Sequence, residues 1–387
     1  MPTPIYLDHA ATTPVRREVL EAMEPYFGSR FGNPSSMHRW GREARAALDA
    51  ARERLARCLG AEPDELCFTS GGTEGDNFAI LATFHARRKE GRTAVVTSPI
   101  EHKAILGAVH QAAREGAEER ILGVHRDGLV DRESFDENVR DDVSVCSVMW
   151  VNNEIGVVQP IEELAPRAKE HGVVFHTDAV QAFGKVPVDA REVPFDILTI
   201  SGHKIGAPKG IGAMFIRRGT PFEPLLYGGA QNRGVRPGTE NVAAAVGLAT
   251  AAELAVEERE EEVRRLGELR DRLEAALLER IPDAVVNGKG APRAPHVLNI
   301  SVPGTDSESL LLALDLAGVA CSSGSACQSG SVDPSHVLMA IGVPRELAVA
   351  AVRMSLGPLT TPEGVERVAS LFPALITKAR RLSGVAS

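Results

Sequence analysis

A lysine and an aspartate near the middle of the chain are residue types that could perform amine chemistry. Lys204 closes the run Ser201-Gly202-His203-Lys204 and lies 26 residues after Asp178. A lysine amine can form a Schiff base with an aldehyde, and a carboxylate can keep the nitrogen of an aromatic ring protonated, so that the ring accepts electrons. A pyridoxal phosphate site requires both groups. Taken alone, the spacing favours an ordinary solvated surface lysine, so other motifs must decide between the two interpretations.

A glycine turn earlier in the chain could bind a phosphate group. Gly71-Gly72-Thr73 follows an apolar run and opens a helical pattern. Two glycines allow backbone N–H groups to approach an anion, and a helix N-terminus adds partial positive charge. The hydroxyl of Thr73 is a further donor, and Ser201 and His203 offer more donors beside the lysine. Such a turn is weak evidence by itself, but these residues are candidates for one phosphate site.

Three polar residues could contact the ring of a cofactor. His102 could stack on a pyridine ring and move protons near neutral pH, although a surface or helix-capping histidine is the simpler interpretation. Gln181 lies one helical turn beyond Asp178 and could donate to a phenolic oxygen on the ring. Asn153 could do the same, or it could bind a substrate carboxylate.

Arg353 and Cys327 are candidates for contacts with a substrate. Arg353 is flanked by apolar residues in a strand-like run, where a charge is costly unless it is paired. Its guanidinium could bind the carboxylate of an amino acid in bidentate fashion, or it could form a structural ion pair. Cys327 lies in a small, polar, glycine-rich segment, which predicts an exposed loop, and a reactive thiol provided that a positive neighbour lowers its pKa. The other cysteines lie in apolar segments and are expected in the core: Cys58, Cys67, Cys146 and Cys321.

Alternating strand-like and helical patterns must position these residues. The predicted strands of the first part are 65–69, 93–97, 143–150, 173–177, 195–200 and 212–216, with helices at 73–88 and 103–114. This alternation predicts an α/β fold, with a mainly parallel sheet and helices on both faces. The candidate residues follow strand ends, where such sheets bind ligands. Residues 242–280 form a long helical pattern, which is followed by a smaller α/β unit. We expect a large domain at 15–255 and a small domain made of 1–14 and 256–387.

Composition excludes several other classes of protein. The 387 residues are 43% hydrophobic and 25% charged, and they include no apolar run long enough to cross a membrane. The net charge of −9 argues against a broad nucleic-acid surface. We therefore expect no direct nucleic-acid partner, no membrane contact and no metal site. The cysteines lack CxxC spacing, and the N-terminus lacks the pattern of an export signal, so a cytoplasmic location is predicted.

Ordered motifs occur along nearly the whole chain. They are Tyr6-Leu7-Asp8-His9-Ala10-Ala11-Thr12-Thr13-Pro14, Phe31-Gly32-Asn33-Pro34-Ser35-Ser36, Ser70-Gly71-Gly72-Thr73-Glu74, Val151-Asn152-Asn153-Glu154-Ile155-Gly156, Ser201-Gly202-His203-Lys204, Arg236-Pro237-Gly238-Thr239-Glu240-Asn241, Ser323-Gly324-Ser325-Ala326-Cys327, and Arg353. Together they resemble the NifS/IscS-like group of cysteine desulfurases, which are fold-type I pyridoxal phosphate enzymes. The chain departs from the commoner GGGQERG pattern at Ala230 and Asn232.

This resemblance implies a role for each matching residue. Lys204 would be the Schiff-base lysine, Asp178 the partner of the pyridinium, and Arg353 the substrate carboxylate anchor, with Asn153 assisting. Cys327 would be the nucleophile that accepts sulfur from L-cysteine. The remaining implied cofactor contacts are Gly72, Thr73, His102, Gln181, Ser201, His203 and Thr239.

The resemblance also implies partners. Thr239 would reach the phosphate of a neighbouring subunit in a homodimer. Sulfur would pass to an acceptor protein for iron–sulfur cluster assembly or thiolation. Two alternatives stay open on the sequence: an aminotransferase of the same fold, and a sulfur-relay or scaffold protein with a vestigial cofactor site.

Overall fold

The structure, a computed structural model, describes residues 3–324 and 333–382. The strands in this part of the chain are β1 (Ile5–Tyr6), β2 (Leu66–Thr69), β3 (Ala94–Thr97), β4 (Glu118–Ile121), β5 (Val143–Ser147), β6 (Val174–Asp178), β7 (Ile197–Ser201), β8 (Gly212–Ile216), β9 (Val285–Val286), β10 (Val297–Ser301), β11 (Val319–Ala320) and β12 (Ala351–Ser355). The helices are α1 (Arg17–Met23), α2 (Arg39–Leu59), α3 (Gly72–Asn77), α4 (Thr83–Arg87), α5 (Lys103–Arg114), α6 (Arg132–Asn138), α7 (Ile161–Glu170), α8 (Val242–Glu257), α9 (Arg259–Arg280), α10 (Ser307–Leu316), α11 (His336–Ala340), α12 (Arg345–Ala348) and α13 (Pro362–Leu382).

A seven-stranded sheet forms the centre of the molecule, in the order β2-β8-β7-β6-β5-β3-β4. Its strands pair in parallel except β8, which runs antiparallel to both of its neighbours. Every residue of β5, β6, β7 and β8 is buried. Strands that are covered on both faces read as continuous apolar runs, which is why the sequence shows no polar alternation there. The predicted α/β fold with a mainly parallel sheet is confirmed.

Side chains of the sheet enter two separate hydrophobic clusters. Cys146 and Phe175 face the larger cluster, which also includes residues of α2, α7 and α8. Their neighbours Val145 and Val174 face a smaller cluster, which includes residues of α5. Successive residues of a strand point to opposite faces, so helices cover both sides of the sheet, as predicted.

A smaller antiparallel sheet, separate from the central one, has its own hydrophobic cluster. Its strand order is β12-β10-β9, and Asn299 of β10 lies opposite Arg353 of β12. A separate cluster packs on this sheet and combines Leu7 with apolar residues of α9, α10 and α13. The short parallel pair β1-β11 brings the N-terminal segment to the same region.

Two elements differ from the sequence expectation. The long helical pattern over 242–280 forms two helices, α8 and α9, that are separated at Glu258. The helix expected at 73–88 contains a π-helical turn at Phe78–Ala82, between α3 and α4. Hydrophobic periodicity alone does not reveal either interruption, because both segments keep helical backbone near the break. Among the described residues, none of the helices combines the length and apolarity needed to cross a bilayer.

Candidate active site

The ends of the central strands and the loops that follow them surround a cavity of about 350 Å³. Ten of the twelve predicted site residues line it: Gly72, Thr73, His102, Asn153, Asp178, Gln181, Ser201, His203, Lys204 and Arg353. Thr239 is exposed and does not line this cavity. Cys327 lies outside the described residues. The predicted residues therefore make up ten of the twenty described residues that line this cavity.

Lys204 lies in the cavity wall at the end of a short 3-10 turn that follows β7. Its Nζ donates to the carbonyl oxygens of Ala10 and Ala11 at 2.6 and 2.8 Å. Burial and the nearby positive charge of Arg353 lower the pKa of Lys204 to about 8. An amine with this pKa is partly neutral near physiological pH, as a nucleophile or a base must be.

Asp178 ends β6 and is 5% exposed. One carboxylate oxygen accepts a hydrogen bond from the backbone N–H of Val180 at 2.8 Å. Burial raises the pKa of Asp178, whereas His102, the Val180 N–H and Lys204 act in the opposite direction. A buried carboxylate that lines a cavity is well suited to pair with a cationic ring nitrogen.

Two further buried acids accompany Asp178, and the sequence analysis did not identify them. Asp76 lines the cavity at 1% exposure, and its Oδ1 has no hydrogen-bond partner in the described part of the chain. Burial and the charges of Asp178 and Glu101 raise the pKa of Asp76 well above its usual range. Glu101 is fully buried, accepts from Met149 N at 3.0 Å, and has its pKa raised to about 8 by burial. Asp76 lies among the small and polar residues of α3, so no local pattern distinguished it from a surface acid.

Two predicted histidines border the cavity as weak bases. His102 is the N-cap of α5, and its Nδ1 accepts from Ala104 N at 3.2 Å. The ring stays accessible from the open cavity, but the surrounding protein lowers the pKa of His102 by desolvation. His203 Nδ1 lies 3.2 Å from the hydroxyl oxygen of Thr12. Burial and the positive charge of Lys204 lower the pKa of His203 to about 4.

The predicted phosphate site has the close packing that an anion cradle requires. Gly71 adopts φ 154° and ψ −172°, a conformation that only glycine adopts readily. A Cβ at Gly72 would lie 2.9 Å from Val180, so a larger residue would not fit. The same virtual Cβ lies 3.8 Å from the Cβ of Ser201, which brings the glycine turn and β7 together as predicted. Thr73 and His203 line the same cavity.

Arg353 approaches the cavity from β12, in the smaller sheet, and is 4% exposed. Nη1 donates to the backbone carbonyl of Asn153 at 2.9 Å, and Nη2 pairs with Asp8 Oδ1 at 2.8 Å. Its Nε is buried without a partner in the described residues. The structural ion pair expected as one interpretation is present, and the binding of a substrate carboxylate by Arg353 stays a prediction.

The cysteines within the described residues are free thiols. Burial raises the pKa of Cys58 to about 11 and those of Cys67 and Cys321 to about 12. Cys146 is fully buried, and burial raises its pKa well above the usual range. All four are protonated at neutral pH. Cys67 and Cys146 are buried as predicted, whereas Cys58 and Cys321 are only partly buried and pack against the edge of the core.

The stems of the segment that contains Cys327 are attached to the cavity wall. Ser322 and Arg353 form a reciprocal pair of backbone hydrogen bonds. Beyond the segment, the Ser335 hydroxyl donates to Glu154, and His336 Nε2 lies 2.9 Å from the carbonyl of Glu101. His336 also lines the cavity and was not predicted from the sequence.

Comparisons with known proteins agree with this arrangement. Residues 5–368 match the family model of class-V aminotransferases. The chain is 46% identical over 379 residues to cysteine desulfurase IscS of Dictyoglomus turgidum, covering 98% of this chain and 96% of that protein. It is also 46% identical over 380 residues to cysteine desulfurase NifS of Azotobacter vinelandii, covering 98% and 94% of the two chains. A solved NifS-like protein superposes with a TM-score of 0.90 at 34% identity, covering 97% of this chain and all of that one. The chain therefore belongs to the class-V aminotransferase family, within the NifS/IscS-like group of cysteine desulfurases.

Proposed function

We propose that this protein is a pyridoxal phosphate-dependent cysteine desulfurase, which converts L-cysteine to L-alanine and transfers the sulfur to Cys327 as a persulfide. The observation that carries the proposal is the convergence of Lys204, Asp178 and Arg353 on one cavity beside a glycine turn. The names of relatives at 43–46% identity, which are cysteine desulfurases, support the substrate.

The residues around the cavity fit pyridoxal phosphate on chemical grounds. The Asp178 carboxylate is buried, and one backbone N–H satisfies only part of its bonding capacity. A protonated ring nitrogen would complete it. Gly72, Thr73 and Ser201 line the cavity together and would hold the phosphate. When bound, the cofactor supplies an aldehyde that links to amines and a ring that accepts electrons.

The side chains of the cavity would divide the work of binding and proton transfer. Arg353 would hold the substrate carboxylate, with Asn153 assisting. Lys204, once it is released from the cofactor, would remove the Cα proton, and its lowered pKa suits a base near neutral pH. His102 would stack on the ring and accept the thiol proton of the substrate, because desolvation keeps its imidazole neutral.

The sulfur transfer balances without an external oxidant. The Cys327 thiolate attacks the substrate sulfur, so that an S–S bond forms while the bond from sulfur to Cβ breaks. The electron pair of the broken bond stays with the carbon fragment, which takes up protons and leaves as alanine. The sulfur is oxidised to the persulfide level and the carbon is reduced. This role of Cys327 rests on the family resemblance.

Two observations support a homodimer in which Thr239 binds the phosphate of the neighbouring subunit. Thr239 is exposed and does not line the cavity of its own chain. Residues 27–40 carry large exposed apolar side chains, with Phe27 at 70%, Phe31 at 69% and Met37 at 89% exposure. Apolar surface of this kind marks an interaction site on a folded protein.

The remaining features of the proposal concern organisation and biological role. Separate hydrophobic clusters support a large domain at 15–255 and a small domain made of 1–14 and 256–387. Free thiols among the described cysteines support a reducing, cytoplasmic location. The IscS and NifS names of relatives support an acceptor protein in iron–sulfur cluster assembly, with thiolation as the other route.

A single-turnover reaction tests the proposed function. Purified holoenzyme is mixed with L-cysteine, and alanine and persulfide on Cys327 are measured in the same samples. Equal amounts of both products are expected. A spectral change of the cofactor without either product would favour an aminotransferase of the same fold, and failure to bind the cofactor would favour a relay or scaffold protein.

A further inference from the structure

A series of buried hydrogen bonds connects a histidine of the small sheet to Lys204. His296, which directly precedes β10, places Nε2 3.0 Å from Gln181 Oε1. Gln181 Nε2 donates to the carbonyl of Ala10 at 2.8 Å, and Lys204 Nζ donates to the same carbonyl at 2.6 Å. His296 is 1% exposed and Gln181 is 4% exposed, so water does not compete strongly for these contacts.

The direction of each hydrogen bond follows from the Ala10 carbonyl. A carbonyl oxygen can only accept, so the NH₂ group of Gln181 must face it. Gln181 Oε1 therefore faces His296, and the imidazole must carry its proton on Nε2. His296 Nδ1 has no partner in the described residues. His296 also borders a second cavity, of about 410 Å³, and Lys204 lines this cavity as well.

His296 is neutral in this arrangement. Burial and the surrounding positive charges lower its pKa well below the usual range. The groups that act in this way are Lys185, Arg353, His9 and Arg270. A neutral imidazole cannot influence Lys204 through a net charge, so its effect must pass through the hydrogen bond to Gln181.

We propose that His296 is a positioning residue for Lys204: it fixes the amide of Gln181, which shares the Ala10 carbonyl with the lysine amine. The inference deepens the proposed function and rests on it, because it concerns the same lysine. No contact between His296 and substrate is required.

Loss of the His296 imidazole should change the reactivity of Lys204 in one direction only. Without the Nε2 donor, the buried Oε1 of Gln181 is unsatisfied, which favours rotation of the amide. Ala10 O then accepts from Lys204 without competition, or Gln181 Oε1 turns toward the amine. Both changes stabilise the ammonium form, so Lys204 becomes harder to deprotonate and less reactive near neutral pH.

The test measures the reactivity of Lys204 in the full-length chain after the cofactor has been removed. Acetic anhydride is applied across a pH series, and acetylation of the Lys204 peptide is followed by mass spectrometry. The pH at which the acetylation rate of Lys204 reaches half of its maximum is the midpoint of the series. For His296→Leu we expect this midpoint to rise by about 0.5 pH unit, so that acetylation below the midpoint is about threefold slower. Gln181→Leu should give the same shift, and the double variant should shift no further.

Two variants separate positioning from a general packing effect. His296→Gln keeps an N–H donor and should restore the wild-type midpoint. His9→Leu is the matched control, because His9 is also buried and borders the second cavity but has no hydrogen bond to Gln181. The midpoint of His9→Leu should stay at the wild-type value.

An unchanged midpoint in His296→Leu overturns the proposal. Additive shifts in the double variant also overturn it, because they would show that His296 acts independently of Gln181. Thermal unfolding of each variant identifies any that fail to fold, and in that case the His296→Met and Gln181→Met pair, which also lacks the donor and the amide, repeats the comparison. The assay does not involve L-cysteine, so its result is distinct from success or failure of the single-turnover reaction.

Discussion

Replacing Lys204 by methionine should change how stability depends on pH in the cofactor-free protein. Burial and Arg353 lower the pKa of Lys204 from 10.5 to about 8 in the folded chain. The unfolded chain, where the lysine is hydrated, therefore holds this proton more tightly than the folded chain. Between these two pKa values, the free energy of unfolding of wild type must rise with pH.

The magnitude follows from the two pKa values. A proton held with a pKa of 8 in the folded state and 10.5 in the unfolded state contributes almost nothing near pH 7 and about 2 kcal/mol near pH 9.5. The methionine variant lacks this contribution at every pH. The stability of wild type relative to Lys204→Met should therefore increase by about 2 kcal/mol across that interval. Lys185, whose pKa is lowered to about 8 by burial, is present in both proteins and cancels to first order.

Urea unfolding of the two cofactor-free proteins at a series of pH values measures this difference. Lys209→Met removes an exposed lysine from the same loop and controls for the loss of a positive charge. Parallel curves for wild type and Lys204→Met would refute the reasoning, because they would mean that the amine is as well hydrated in the folded chain as in the unfolded one. If the stability of wild type relative to Lys204→Met fell with rising pH, folding would raise the pKa of Lys204 instead of lowering it.

Three further predictions concern the bound cofactor and the substrate. Asp178→Asn should weaken cofactor binding by at least about tenfold, because a neutral amide cannot pair with a cationic ring nitrogen; a spectral titration measures this change. Cys327→Ala should keep the cofactor spectrum and its response to L-cysteine but form no persulfide, whereas Cys321→Ala should form persulfide at the wild-type level; mass spectrometry of the labelled peptide distinguishes them. Arg353→Leu should raise the KM for L-cysteine by about a hundredfold, which is the cost of losing a charge-assisted contact of about 3 kcal/mol, and steady-state alanine production checks it.

The central sheet could be predicted from the sequence because its strands are short apolar runs at regular intervals. The expected bounds of α5 and β8 agree with the structure, and the other strands of the large sheet agree within a few residues apart from β4, which was not expected. β4 lies at the edge of the sheet, and none of its residues is buried, so it carries no apolar pattern. The break between α8 and α9 at Glu258 was missed because the backbone there stays close to helical, so the helical pattern in the sequence continues across it.

The candidate site was predictable where residue type alone implies chemistry, and less so where position matters. Arg353 carries a charge that is costly to bury, so its presence in an apolar strand-like run is informative. Lys204 and Asp178 became informative only together with the other motifs. Asp76 carried no such signal, because its neighbours in α3 are small and polar. The partners of Lys204 could not be predicted, because they are backbone carbonyls, and any residue type supplies a carbonyl.

The N-terminal motif shows how a segment without catalytic residue types can organise the cavity. The carbonyls of Ala10 and Ala11 bind Lys204, and the Thr12 hydroxyl contacts His203. Asp8 pairs with Arg353 on the smaller sheet. One short segment therefore contacts both the lysine that follows β7 and the arginine of β12, and these two strands belong to different sheets. Because backbone carbonyls and a single ion pair make these contacts, the segment ties the Lys204 amine and the Arg353 guanidinium to one short stretch of backbone and so fixes their separation.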